Sequence, residues 1–298
     1  MKTLYAFFLL ILIFLPRIEA QKPVNVIEDS LKVSKSILPG LSVLIPEADY
    51  EVVLKDWIKV LQSNTKSKAS NQNGEISIFG ARTKDIKEEP FNVYSKLLNH
   101  DSLIYLVAAF ELTKDKYIER ESTPEAFTRA KEFLKEFAVG EYTDVAKNQM
   151  DAEDKKLKDA EKELSSLENE HSKLQKSIES NKSDIISEKE NIVIQKNELD
   201  LVSSNINEQK SLLNGMDEGD AKKEKNAFIK ELEKRKKKAQ NSIDSSEKKI
   251  KKAETEIENA TALIPENEMN QDKARQKVTS QEIIYQKFVE KYKKIKAY

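Results

Sequence analysis

The chain has 298 residues, with 51 basic against 52 acidic side chains, and 35% of all residues are charged. That balance argues against nucleic acid as a partner, since such binders usually carry a strongly basic domain. Cysteine is absent, which removes disulfides, thiolate zinc, iron–sulfur ligation and cysteine nucleophiles from consideration. His100 and His171 are the only two imidazoles, too few for a multi-histidine metal site.

Lys2 precedes an apolar run from Leu4 to Leu15, followed by Pro16-Arg17-Ile18-Glu19-Ala20. A basic start, a short apolar core and a small residue at the cut are the marks of a secretory signal peptide over residues 1–20. The run is too short to span a hydrocarbon layer of ~30 Å. The expected product is exported, periplasmic or extracellular, and free of the membrane after cleavage. Membrane contact without integration stays open. The leader carries a net +1, so the mature chain sits near −2.

Residues 21–39 are polar with scattered Val and Ile and read as a lead-in segment. Residues 40–140 have the composition of a folded head, including the only tryptophan, Trp57. Leu41 to Ile45 reads as a short strand closed by Pro46. Val53, Leu54, Trp57, Ile58 and Leu61 fall on one face of a helix starting near Asp49. Strands follow over Glu75–Gly80, Phe91–Leu97 and Leu103–Leu112. The turn Asn99-His100-Asp101-Ser102 joins the last two as a hairpin. Thr123-Pro124 opens a second helix with proline at its first position, and Phe127, Ala130, Leu134 and Phe137 form its buried stripe. One antiparallel sheet with two helices on one face buries both stripes. The class is α+β, a two-layer head resembling TATA-binding-protein-like or ferredoxin-like arrangements, a resemblance of fold that carries no function.

Residues 141–298 read as a coiled-coil hairpin. Leu157, Leu164, His171, Ile178, Ile185, Ile192, Leu199, Ile206 and Leu213 recur every seven residues, with a mixed companion series from Ala160 to Gln209. The glycines Gly215 and Gly219 place a turn near 214–220. A second series runs Ile229, Ile243, Ile250, Ile257, Ile264, Val278, Tyr285 and Tyr292, with Leu232, Ala239, Ala253, Ala260, Ala274, Phe288 and Ile295 beside it. Residues 141–213 hold 17 acids and 11 bases, and residues 220–298 hold 14 acids and 21 bases. Antiparallel arms of opposite charge attract weakly along their whole length. Pro265 predicts a kink or local break without a change of direction.

His171 and Asn181 are polar residues in the seam, where such residues usually set register. Lys234-Arg235-Lys236-Lys237-Lys238 and Lys248-Lys249-Ile250-Lys251-Lys252 are basic clusters that could hold an anionic surface. The simpler reading is a solvated face neutralised by the acidic arm. No P-loop, G-x-G-x-x-G, G-x-S-x-G or H-E-x-x-H pattern occurs. In the head, Asp85, Glu88, Glu89, Asp101 and Glu111 lack a companion His, Cys or Gly-rich loop. The chain therefore offers no catalytic, cofactor-binding or metal-binding residues, and an enzyme is not expected.

Trp57, the segment Asn92-Val93-Tyr94-Ser95-Lys96 and the segment Phe133-Leu134-Lys135-Glu136-Phe137-Ala138 give the chain its resemblance to a group of secreted Bacteroidota proteins. Those proteins carry an α/β head and a C-terminal coiled coil. The group has no known activity, so the resemblance implies no functional residues. The tail alone is similar to the periplasmic chaperone Skp, although the head, the longer arms and the near-neutral charge depart from it. The expected function is a non-enzymatic envelope scaffold or protein-interaction module, binding a protein partner or itself. The alternatives are a holdase-type chaperone and a head that binds a small ligand or acts on envelope polymer.

Overall fold

The computed structural model describes residues 23–83, 85–100 and 103–298. The expected leader lies outside the described residues, as do Asp101 and Ser102 of the expected turn. Packing divides the chain into two units: residues up to Lys158 together with Thr279–Tyr298, and Asp159–Val278.

The first unit is built on an antiparallel sheet. In chain order its strands are β1 (Val26–Val33), β2 (Ser36–Ile45), β3 (Ser70–Gln72), β4 (Glu75–Ala81), β5 (Phe91–His100), β6 (Leu103–Thr113) and β7 (Lys116–Tyr117). The spatial order is β1-β2-β6-β5-β4-β3, with β7 hung on β6. Helix α1 (Tyr50–Gln62) starts at Asp49, whose carboxylate caps it by accepting from Glu51 N and Val52 N at 3.0 and 3.1 Å. Helix α2 runs from Pro124 to Asn214, and its first turns share the core with α1. Alternation along the strands sends Val43, Ile45, Ile78, Val93, Leu106 and Phe110 to that core. Trp57 is its centre. The ring is fully buried, lies 5.0 Å from Phe137 and 5.9 Å from Phe133, and donates its Nε1–H to Ser95 Oγ at 2.9 Å. The expected α+β head is therefore present, with both helical stripes against one sheet.

Three expectations change. Residues 26–39 are not a loose lead-in: they form β1 and the first part of β2, with Val26 paired to Val43 and Val33 to Ser36. Leu31 and Leu38 of this hairpin pack on Val107 and Ala109, covering part of the sheet face opposite the helices. Pro39 is tolerated inside β2 because the pairing with β6 covers only Leu41–Ile45. Gly140 is no boundary, because α2 passes through it unbroken and Tyr142 and Ala146 belong to the head core. The end of the second tail helix also belongs there, since Ile295 is fully buried in the same core. His100 ends strand β5, paired with Leu103, rather than sitting within a turn.

The second unit is the part of the hairpin of α2 and α3 (Asp220–Ile295) that lies within Asp159–Val278, the two helices joined across residues 215–219 as expected. Pro265 lies inside α3 without interrupting the helix. Among the described residues, no helix is long and apolar enough to cross a membrane.

Candidate functional site: the helix pair and the polar groups of the head

The seam follows the heptads. Leu164, Ile178, Ile185, Ile192 and Leu199 are each half-buried, and Val202, Ile206, Ile229, Leu232 and Ile243 are buried. Two helices alone cannot cover such positions completely, which accounts for the half-burial. On α3 the companion positions are small: Ala239, Ala253, Ala260 and Ala274 are all buried against the larger side chains of α2.

Of the gaps in the α3 series, those at Ser246, Asn267 and Gln271 are filled by polar residues that bond across the seam. Asn191 Nδ2 donates to Ser246 Oγ at 2.9 Å. Asn267 Nδ2 donates to the Leu167 carbonyl at 3.2 Å and to Glu170 Oε2 at 3.1 Å. Gln271 donates to Asn267 Oδ1 at 2.7 Å. These bonds define one alignment of the two helices, the role expected of seam polar residues. Asn181, by contrast, turns back on its own helix and donates to the Ser177 carbonyl at 3.0 Å. His171 is in the seam with Nε2 3.5 Å from Glu268 Oε1, without a hydrogen bond.

Ion pairs flank the seam with the expected polarity. Glu163 meets Lys277 and Glu188 meets Lys249, both at 2.7 Å; Glu198 meets Arg235 at 2.6 Å and Glu168 meets Arg275 at 3.4 Å. Lys210 and Glu233 make a reversed pair at 2.8 Å. Hydrogen bonds from Lys249, Ser246 and Asn191 hold the Glu188 carboxyl below its usual range, and Lys210 does the same for Glu233. Each exposed pair contributes little, but the set favours one antiparallel alignment. The basic clusters are thus partly used. Arg235 and Lys249 serve the other helix, and Lys234 and Lys252 face Glu231 and Glu256 of their own. Lys236, Lys237, Lys238, Lys248 and Lys251 point to solvent.

In the head the acidic side chains do not converge. Asp85 and Glu88 are exposed, and Glu89 faces Lys87 at 3.5 Å. Glu111 is buried on the sheet face away from the helices. It accepts from Asn92 Nδ2 at 2.8 Å, Tyr94 OH at 3.2 Å and Asp115 N at 3.0 Å. The Asn92 bond leads in holding its carboxyl low, while burial and the Glu111 charge push the Tyr94 hydroxyl up to about 12. A carboxylate that holds three donors ties β5, β6 and the β6–β7 turn together and is poorly placed to move protons. Among the described residues no three His, Asp or Glu side chains are grouped to hold a metal ion. A cavity of about 500 Å³ opens between β1 and the start of α2, lined by Val26, Arg120, Phe127, Lys131 and Lys135. Its cations are engaged: Arg120 pairs with Glu28, Lys135 donates to the Tyr298 carbonyl, and Lys131 lies over the Phe127 ring.

A second polar group was invisible in the sequence. Glu47 accepts from Lys291 Nζ at 2.5 Å, Gln149 Nε2 at 3.1 Å and Tyr142 OH at 3.4 Å, and Lys291 also donates to Gln149 Oε1 at 3.0 Å. Burial raises the Glu47 carboxyl, but these donors outweigh it and leave it below the ordinary carboxylate value. The group fastens the β2–α1 turn to both long helices. No family model matches the chain, and no curated protein matches it.

Proposed function

We propose that the protein is exported and works without catalysis, as a coiled-coil scaffold or protein-interaction module of the cell envelope. The helix pair of α2 and α3 is the part that binds. The observation that supports this reading is the construction of the pair: its seam polar residues and flanking ion pairs specify one alignment over many heptads. Such sustained specification suits a rigid element that presents a surface. N-terminal sequencing of the mature protein from the envelope tests export, with Gln21 expected as the first residue.

The decisive experiment is crosslinked co-purification from the native envelope. Glu188 faces Lys249 and Asn191 faces Ser246, so deleting residues 185–198 together with 239–252 removes two heptads from both helices in register. A partner captured by the full chain and lost by the shortened one places binding on the helix pair. The same partner captured equally by both overturns that reading and moves binding to the head. Suppression of outer-membrane-protein aggregation in vitro separates the holdase alternative, which resemblance to Skp supports. A second reading, a head that binds a small ligand, is favoured by the cavity floored by Phe127 and rimmed by Lys131. Its size is in the range of small-molecule sites.

A further inference from the structure

Residues 221–252 of α3 hold 13 bases and 5 acids, whereas residues 253–295 hold 7 bases and 8 acids. The basic excess of the helix is therefore confined to its first half, and there it is gathered on one face. At 3.6 residues per turn, positions 223, 230, 234, 237, 241, 248, 252 and 255 fall within about 60° of the helix circumference. They lie opposite the seam residues Leu232, Ala239, Ile243 and Ile250. Lys223, Lys230, Lys234, Lys237, Lys248 and Lys252 occupy six of the eight positions, Asn241 and Thr255 the other two, and none is acidic. All six lysines are exposed, and the row runs about 44 Å along the helix.

The acidic helix does not neutralise this row. Its carboxylates Glu188 and Glu198 reach Lys249 and Arg235 at the flanks of the seam. Lys223, Lys234 and Lys252 meet only exposed acids of their own helix, Asp220, Glu231 and Glu256, at 3.1, 3.5 and 3.7 Å. Among the described residues Lys230, Lys237 and Lys248 reach no acid within ion-pair distance. Lys230 with Lys234, and Lys248 with Lys252, are like charges four residues apart, an arrangement that weakens a helix. A surface that serves solubility alone intersperses both signs.

We infer that this row docks the helix pair on an anionic lipid surface, with the lysines against phosphate headgroups. Six charges in one line on a helix meet a plane together. The row contains no arginine, the residue that grips single phosphates bidentately, and no aromatic ring on which bases could stack. Lysine ammoniums are point charges on flexible stems, suited to the diffuse field of many headgroups. The row also lacks a large apolar side chain, so the contact is an attraction at the surface without insertion. Each lysine brought near such a surface strengthens binding about fivefold, and salt screens the effect over about 10 Å at 0.1 M. The inference goes beyond a protein partner for the helix pair, because it uses a face of α3 and leaves α2 uncovered.

Vesicle flotation of the full mature chain tests this, with phosphatidylcholine vesicles and with vesicles in which about 30% of the lipid is phosphatidylglycerol. The chain is expected to float with the anionic vesicles at about 50 mM salt, to leave them at about 300 mM, and to ignore the neutral ones. K230Q/K237Q/K248Q is expected to weaken the partition about 100-fold. Its melting temperature should stay at the wild-type value, since the three side chains are exposed. K162Q/K173Q/K176Q removes the same charge from exposed lysines on the far side of α2 and is expected to bind as the wild type does. A wild-type chain that fails to float with anionic vesicles at low salt overturns the proposal. So does a first triple variant that binds undiminished, or an equal loss in both triple variants, which would make net charge the cause. If duplex DNA at equal phosphate concentration strips the chain from the vesicles, the lipid assignment is overturned and the row belongs to a soluble polyanion.

Discussion

Lys291 and Glu47 are 244 residues apart in the chain, yet Nζ and Oε2 lie 2.5 Å apart. The Lys291 side chain is 7% exposed and the Glu47 side chain 30%, so the pair is largely withdrawn from water. Removing one partner of such a pair leaves a poorly solvated charge. Lys291→Met is expected to lower the stability of the head by about 2 kcal/mol at pH 7 in urea denaturation. Glu47 titrates below its ordinary value of 4.5 when folded. Its contribution is therefore present above the unfolded value and lost as pH falls through the folded one. The variant is expected to show a shallower loss of stability between about pH 5 and pH 3 than the wild type.

Glu141 behaves in the opposite sense. Burial, then the charges of Asp56 and Asp144, push its carboxyl from 4.5 to about 7. A raised carboxyl favours the folded state below the unfolded value, and that advantage is lost as pH rises through about 7. Glu141→Gln is expected to match the wild type near pH 4.5 and to exceed it at pH 8. The gain, discounted for partial exposure, is on the order of 1 kcal/mol. Thermal melts at the two pH values check it, and an equal effect at both would refute the assignment.

Gly40 is required by a close approach. A Cβ built there lies 2.9 Å from the Ala108 carbonyl oxygen, a backbone atom of the central strand β6. The neighbour cannot rotate away, so β2 or β6 must shift. Gly40→Ala is expected to cost about 2 kcal/mol by chemical denaturation. A cost within experimental error would mean that the strands slide past each other easily.

Trp57→Phe removes the indole N–H that donates to the Ser95 hydroxyl, and Ser95 is 1% exposed. The smaller ring also leaves space beside Phe133 and Phe137. A loss of about 2–3 kcal/mol is expected. Adding Ser95→Ala should recover part of it, giving a coupling of about 1 kcal/mol in a double-mutant cycle. Circular dichroism is the readout, since the variant has no tryptophan to follow.

Asn267 and Gln271 set alignment more than stability. Replacing both by Leu fills the gaps in the apolar series and is expected to leave the melting temperature unchanged or raised. The alignment of α2 with α3 should loosen, because the bonds to Leu167 and Glu170 are lost. In a background with Glu188→Cys and Lys249→Cys, disulfide yield is expected to fall on adding the two substitutions. An unchanged yield would assign register to Asn191–Ser246 and the ion pairs alone.

The helix pair was legible in the residues themselves. A seven-residue period is a local property, repeated so often that Leu157 to Leu213 can only be one face, and Gly215 and Gly219 interrupt it where the two helices meet. The charge bias of the two halves likewise foretold Glu188–Lys249 and Glu198–Arg235. Strand alternation and the Asp49 and Thr123-Pro124 starts carried most of the head. Tertiary structure decided what local pattern cannot encode. Strand β1 has only Val26 and Leu31 buried, because it lies at the sheet edge, and an edge strand in water shows little alternation. The buried polar residues Asn267 and Gln271 read as breaks in a hydrophobic series, whereas they complete it through partners on the other helix. Glu47, Tyr142, Gln149 and Lys291 are ordinary surface residues in the sequence. They become one group because Ile295 enters the head core and brings the end of α3 beside the β2–α1 turn. Period and charge determined which residues pair along a helix. Only burial of the distant segments against one another decided which polar groups were taken out of water together.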